Sequence, residues 1–124
     1  MKVPLLLLIV IIAACGKTKK SPYSEQQIIF ADSVRWIHIK KSSLDKDSVL
    51  LTDEQSKEFV NKWNHAQTVG PYKFMPQYWI TITLADGSIR KFRSFKDMIK
   101  EKNDWAFSVN DSVFIENCYK ATNP

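Results

Sequence analysis

Two periods of apolar residues alternate along the chain, and the changes between them mark its elements. Ser33-Val-Arg-Trp-Ile-His-Ile-Lys40 repeats every second residue and is rich in β-branched and aromatic side chains, which predicts a strand. Lys41 to Lys46 is polar and reads as a turn. Thr52-Asp-Glu-Gln55 then has the form of a capping box, with Thr at the N-cap and Gln three residues on. Asp53 and Glu54 suit the positive end of a helix dipole. Phe59, Val60, Trp63 and Ala66 follow on one helical face, and Gly70-Pro71 supplies a stop, so the spacing predicts a helix over roughly 52–68.

The period returns to two in Tyr78-Trp-Ile-Thr-Ile-Thr-Leu84, a strand followed by the hairpin signal Asp86-Gly87. The returning strand runs from Ser88 to Phe95. A two-residue turn would set Lys91 opposite Ile82. A three-residue loop, Ala85-Asp86-Gly87 with Gly87 left-handed, sets Phe92 opposite Ile80 and keeps one face more apolar, so it is preferred. Ile80, Ile82, Leu84 and Phe92 then face the helix, with Tyr78 on the same side. Trp79, Thr81, Thr83, Lys91 and Arg93 face away. Phe95 to Glu101 reads as a turn of helix. Trp105–Val109 and Ser112–Glu116 read as two further strands around Asn110-Asp111. The expected fold class is therefore α+β: an antiparallel sheet of about five strands with one main helix packed on one face, in the order β-α-β-β-β-β. About a hundred residues can bury roughly 60–70% of their unfolded surface, enough for a real core.

The first residues follow a different logic. Met1-Lys2 is a minimal positive segment, and Val3–Ala14 is an apolar run too short to span a membrane, which together is the architecture of a secretory signal peptide. The run ends in Ile12-Ala13-Ala14-Cys15, which resembles the lipobox of bacterial lipoproteins. That resemblance implies a diacylglyceryl group on the Cys15 thiol and cleavage just before it, leaving a mature chain of 110 of the 124 residues. A lipid-modified Cys of this kind carries two or three acyl chains, such as palmitate. At about 0.8 kcal/mol per buried methylene the attachment is effectively permanent. Residues 15–22, Cys-Gly-Lys-Thr-Lys-Lys-Ser-Pro, have no apolar side chain beyond the Cys to bury and read as a flexible basic tether. Residues 23–124 form the single globular domain. Gly16 rather than Asp after the Cys favours the outer membrane of a Gram-negative bacterium, by analogy with enteric sorting. The lipobox, the Leu51-Thr-Asp-Glu-Gln helix start, Trp63-Asn64 and the Pro76–Gly87 hairpin together resemble small envelope lipoproteins of Bacteroidetes-type bacteria, a resemblance that brings no activity with it.

Charge changes meaning once the chain is divided this way. The formal net charge is +5, but removing Lys2, Lys17, Lys19 and Lys20 from the 18 Lys+Arg leaves 14 against 13 Asp+Glu. The domain is almost neutral, so the basic balance marks a tether and not a nucleic-acid partner. Cysteine usage is equally spare. With Cys15 lipidated, Cys118 is left as a small apolar core residue, with an intermolecular disulfide or a reactive thiol as the alternatives.

No chemical motif emerges. The three glycines are isolated, which excludes a phosphate-cradling loop or dinucleotide fingerprint. His38, His65 and Cys118 are dispersed and do not have metal-ligand spacing. Asp45-Lys-Asp47 lacks the Gly and terminal Glu of a calcium loop. No metal, cofactor or catalytic residue is assigned. Two surfaces remain. Gly70–Trp79 is aromatic and twice interrupted by Pro; Tyr72, Phe74 and Trp79 are its candidate partner contacts, the alternative being that Phe74 and Met75 close the core between helix and strand. Arg90, Lys91, Arg93, Lys96, Lys100 and Lys102 form a basic stretch, either a solvated face or a site for an anionic partner. The expected function is a lipid-anchored envelope binding module, attached to the membrane through Cys15 and facing an envelope protein or polysaccharide. An inhibitor or immunity lipoprotein against an envelope hydrolase is one alternative, and a small hydrolase using His38 or His65 is another.

Overall fold

The computed structural model describes residues 26–42 and 48–122. The signal segment 1–14, Cys15, the 15–22 tether and Asp45-Lys-Asp47 lie outside the described residues, as do positions 43–46 of the expected turn. The architecture is α+β, with one antiparallel sheet and helices Asp53–Asn64 (α1) and Phe114–Thr122 (α2). The sheet has seven strands: Val34–Lys40 (β1), Val49–Leu50 (β2), Gln67–Pro71 (β3), Tyr78–Leu84 (β4), Ile89–Phe95 (β5), Met98–Lys100 (β6) and Trp105–Ser108 (β7). Their spatial order is β2-β1-β4-β5-β6-β7-β3. The strand number exceeds the five expected.

The capping box closes α1 at its start: the Gln55 amide donates to Thr52 Oγ1 at 3.2 Å, and the Thr52 amide donates to Gln55 Oε1 at 2.9 Å. Phe59, Val60 and Trp63 are buried on its inner face. The helix stops at Asn64, not near 68 as the stop signal indicated. Gln67–Pro71 instead pairs with β7, Thr68 opposite Phe107 and Gly70 opposite Ala106. Sheet pairing of a β-prone Gln-Thr-Val run outweighs continuation of the helix, a tertiary effect that local periodicity does not contain. Gly70 takes φ +107° beside the register shift in this pairing, a conformation that suits glycine.

The β4–β5 hairpin has the expected register. Ile80 lies opposite Phe92, and the Leu84 amide donates to the Ser88 carbonyl across the Ala85-Asp86-Gly87 loop, with Gly87 at φ +90°. Tyr78, Ile80, Ile82 and Phe92 are buried on the helix side, and Ile37 and Ile39 of β1 join them opposite Ile82 and Ile80. Trp63 stands edge-on to Phe92 at 5.0 Å and to Phe107 at 5.3 Å; such contacts add about 0.5–1.5 kcal/mol each beyond burial.

Two segments differ from expectation. Phe95–Glu101 is not a helical turn: Phe95 pairs with Met98 across Lys96-Asp97, Lys96 has φ +54°, and β6 follows. Ser112–Glu116 is not a strand. The Val113 amide donates to Asp111 Oδ1, and α2 begins at Phe114. Phe114, Ile115 and Cys118 are buried at helical spacing, with Tyr119 against Tyr78. Both helices therefore feed the core on one side of the sheet.

Residues Gln26–Phe30 run beside α1 as an extended strap. Ile29 is buried, its amide donates to Asn64 Oδ1, and Asn64 Nδ2 donates back to its carbonyl, each at 2.8 Å. Trp63 Nε1 donates to the Gln27 carbonyl at 2.7 Å. The described chain thus enters on the helix side.

Candidate functional site

Strand alternation leaves the other side of the sheet without a helix, and register aligns its residues in rows. Lys40, Trp79, Arg93 and Lys100 stand opposite one another across β1, β4, β5 and β6. His38, Thr81 and Lys91 form the next row, with Leu50 at the β2 edge, and Trp36, Thr83 and Ile89 the third. The seven strands carry six Lys or Arg and no Asp or Glu. Four of those cations, Lys40, Lys91, Arg93 and Lys100, are on this side. The strands of this side therefore carry only cations, and of the domain's acidic groups, which sit on helices, turns and loops, Asp104 reaches this side to pair with Lys100.

The face divides into two halves. Over β6 and the end of β5 the aromatic segment folds across it. Phe74 stacks on Phe95 with centroids 5.6 Å apart, and Tyr72 lies 6.4 Å from Phe74. Beneath them Lys100 is only 2% exposed. Its Nζ donates to the Tyr72 carbonyl at 3.1 Å and to Asp104 Oδ1 at 2.9 Å, and lies 4.0 Å from the Phe74 ring centroid. Hydrogen bonding and the charge of Lys100 hold the Asp104 carboxyl below its ordinary pKa. Phe74 thus packs on the helix-free side and Met75 is 82% exposed, so neither closes the core between helix and strand.

The other half, over β1, β4 and the start of β5, is accessible. Trp36 is 42% exposed and Ile89 55%, and Lys91 is exposed while Lys40, His38, Trp79 and Arg93 are half-buried. The Arg35 guanidinium lies 5.5 Å from the Trp36 ring and donates to the Ala85 carbonyl, which steadies the indole. Arg93 donates to the Asn103 carbonyl at 2.9 Å.

The three expected contact residues thus share the helix-free side. Tyr72 and Phe74 cover one half and Trp79 stands in the other, two strands from Lys100, or roughly 10 Å. Trp36, Lys40 and Leu50 were not among the sequence candidates. Alternation alone places Trp36 and Lys40 on one side of β1, but only the pairing of β1 with β4 brings them beside Trp79.

The basic stretch is not one solvated surface. Arg90 belongs to the helix side, where it grips Glu101 with two hydrogen bonds of 2.7 Å and the strap carbonyls of Gln27 and Ile28. A shallow cavity of about 260 Å³ opens beside it, lined by Ile28, Phe30, Leu84 and Asp86 among others.

The remaining reactive side chains are apart. His65 caps α1 with its Nδ1 2.8 Å from the Asn61 carbonyl, and His38 lies on the helix-free side. Cys118 is buried on α2, where desolvation first, then Glu58 and Asp111, push its thiol pKa up to about 11. That favours the thiol over the nucleophilic thiolate. Among the described residues no group of His, Cys, Asp and Glu is arranged to hold a metal ion, and no helix is long and apolar enough to cross a membrane. No family model, curated protein or solved structure matches the chain.

Proposed function

We propose that this protein is a lipid-anchored binding module of the bacterial envelope. Residues 1–14 are its signal peptide, Cys15 its lipid attachment point, 15–22 its tether and 23–124 its binding domain. The accessible helix-free half-face carries this reading, because a sheet side with two indoles, several cations and no carboxylate on its strands is built for contact. Placement of the strap supports it as well. The described chain enters on the helix side at Gln26, which leaves the contact face on the opposite side of the sheet.

Anchoring is tested by Cys15→Ser in the full chain. The variant is expected to remain at precursor mass and to take up no labelled palmitate, while the wild type is shortened and labelled. A Cys15→Ser protein that still runs at mature mass and still labels would overturn the anchor.

A further inference from the structure

We propose that the helix-free half-face bearing Trp36, Lys40, Trp79 and Lys91 binds an acidic polysaccharide, a proposal that rests on the binding-module reading and names its ligand class. Charge complementarity sets the sign of the ligand. Every charged strand position on this side is a cation; the carboxylate beside them, Asp104, follows β6 and is taken up by Lys100, whereas Asp53, Glu54 and Glu58 lie on α1, Glu116 on α2 and Asp86 in the hairpin loop.

Shape sets its form. Trp36 and Trp79 belong to adjacent paired strands, and their pairing positions on β1, Trp36 and Lys40, are four residues apart, roughly 13–14 Å. A linear chain of pyranose rings can cross that span with the apolar face of one ring on each indole. Between the indoles, His38, Thr81 and Lys91 form a row of donors at the height of the chain's hydroxyls and carboxylates. Lys40 and Arg93 flank Trp79 directly, so a uronate beside the stacked ring meets a cation on either side.

The covered half shows what bounds the open face. Phe74 and Tyr72 already occupy the sheet beyond Arg93, with Lys100 held beneath them by Tyr72 and Asp104. The ligand therefore lies along β1 and β4 and does not continue across β6. The side of the sheet also matters. The described chain enters on the helix side, so the strap leaves this face uncovered.

The test is a binding titration of the full chain, purified in non-ionic detergent. Its probes are polygalacturonate, neutral dextran, single-stranded poly(dT) and phosphatidylglycerol vesicles. The expected result is saturable binding to polygalacturonate, weakened by salt, with none to dextran. Trp79→Ala is expected to weaken it about thirtyfold, the loss typical of a truncated hot-spot aromatic. Lys91→Glu, at an exposed position, is expected to weaken it about tenfold with an unchanged circular dichroism spectrum. Polygalacturonate binding indifferent to both substitutions would overturn the proposal, as would equal or tighter binding to poly(dT), or vesicle binding that both substitutions weaken, since insertion of the Cys15 anchor is indifferent to them. Capture of an envelope protein through a Trp79-dependent surface, with no polygalacturonate binding, overturns the polysaccharide but leaves the binding module standing. Loss of both overturns both.

Discussion

Lys91 and Lys100 project from the same side of the sheet and end in opposite environments. Lys91 is exposed, whereas Lys100 is 2% exposed. Both are lysines on neighbouring strands, β5 and β6, and face the same side, so the difference lies in what crosses above. Over Lys100 the chain lays down Tyr72 and Phe74; over the β1–β4 half the exposed Trp36 and Ile89 show an open surface. Taking an ammonium out of water costs several kcal/mol unless its donors are satisfied. Lys100 meets that cost with the Tyr72 carbonyl, Asp104 and the Phe74 ring. One residue type thus fastens a loop in one half and supplies a contact charge in the other.

The largest expected effect lies on the opposite, helix-covered side. Trp63 is fully buried against Phe92 and Phe107, and its indole nitrogen holds the strap. Trp63→Ala should cost about 3–5 kcal/mol in urea unfolding. A smaller loss would mean that the helix and strap are not the main closure of the core. Next comes the covered half of the helix-free side. Lys100→Ala should cost about 1–3 kcal/mol, since the Tyr72 carbonyl loses its donor while Asp104, 48% exposed, is resolvated. Lys100→Met keeps the apolar stem but supplies no donor to Tyr72, so it should lose nearly as much. Wild-type stability in Lys100→Met would show that the stem, and not the ammonium, pins the aromatic segment. The smallest effects belong to the open half. Lys91→Ala should change stability by no more than about 0.5 kcal/mol. Trp79→Ala should move the melting temperature by only a few degrees, about the shift that 1 kcal/mol gives in a domain of this size. A large loss from Trp79→Ala, with normal melting of Tyr78→Ala, would reverse the two faces.

These expectations rest on parts of the molecule that were unequally legible. The start of α1 could be read because a capping box is satisfied within four residues, and Thr52 and Gln55 make both of its bonds. The hairpin register could be read because a short loop and the burial of Ile80 and Phe92 agree on one pairing. Alternation likewise separated Tyr78 from Trp79. The end of α1 could not be read. No local signal tells Gln67–Val69 that Trp105–Ser108 waits with unpaired backbone groups. The start of α2 was obscured because Val113-Phe-Ile115 is β-prone, while the helical signal depends on Cys118 and Tyr119 further along.

By itself the sequence determined the capped helix, the β4–β5 hairpin with its two faces, the near-neutral charge of the domain and a lipobox-like N-terminus around Cys15. These depend on spacing over a few residues or on composition, and such signals survive without a fold. Tertiary structure alone decided that β1 lies beside β4, that Phe74 covers Lys100 and not the core, and that Trp36, Lys40, Trp79 and Lys91 share one open surface. Each of those outcomes joins segments tens of residues apart. Their pairing is chosen by the burial and hydrogen bonding of the whole sheet, which no local window contains.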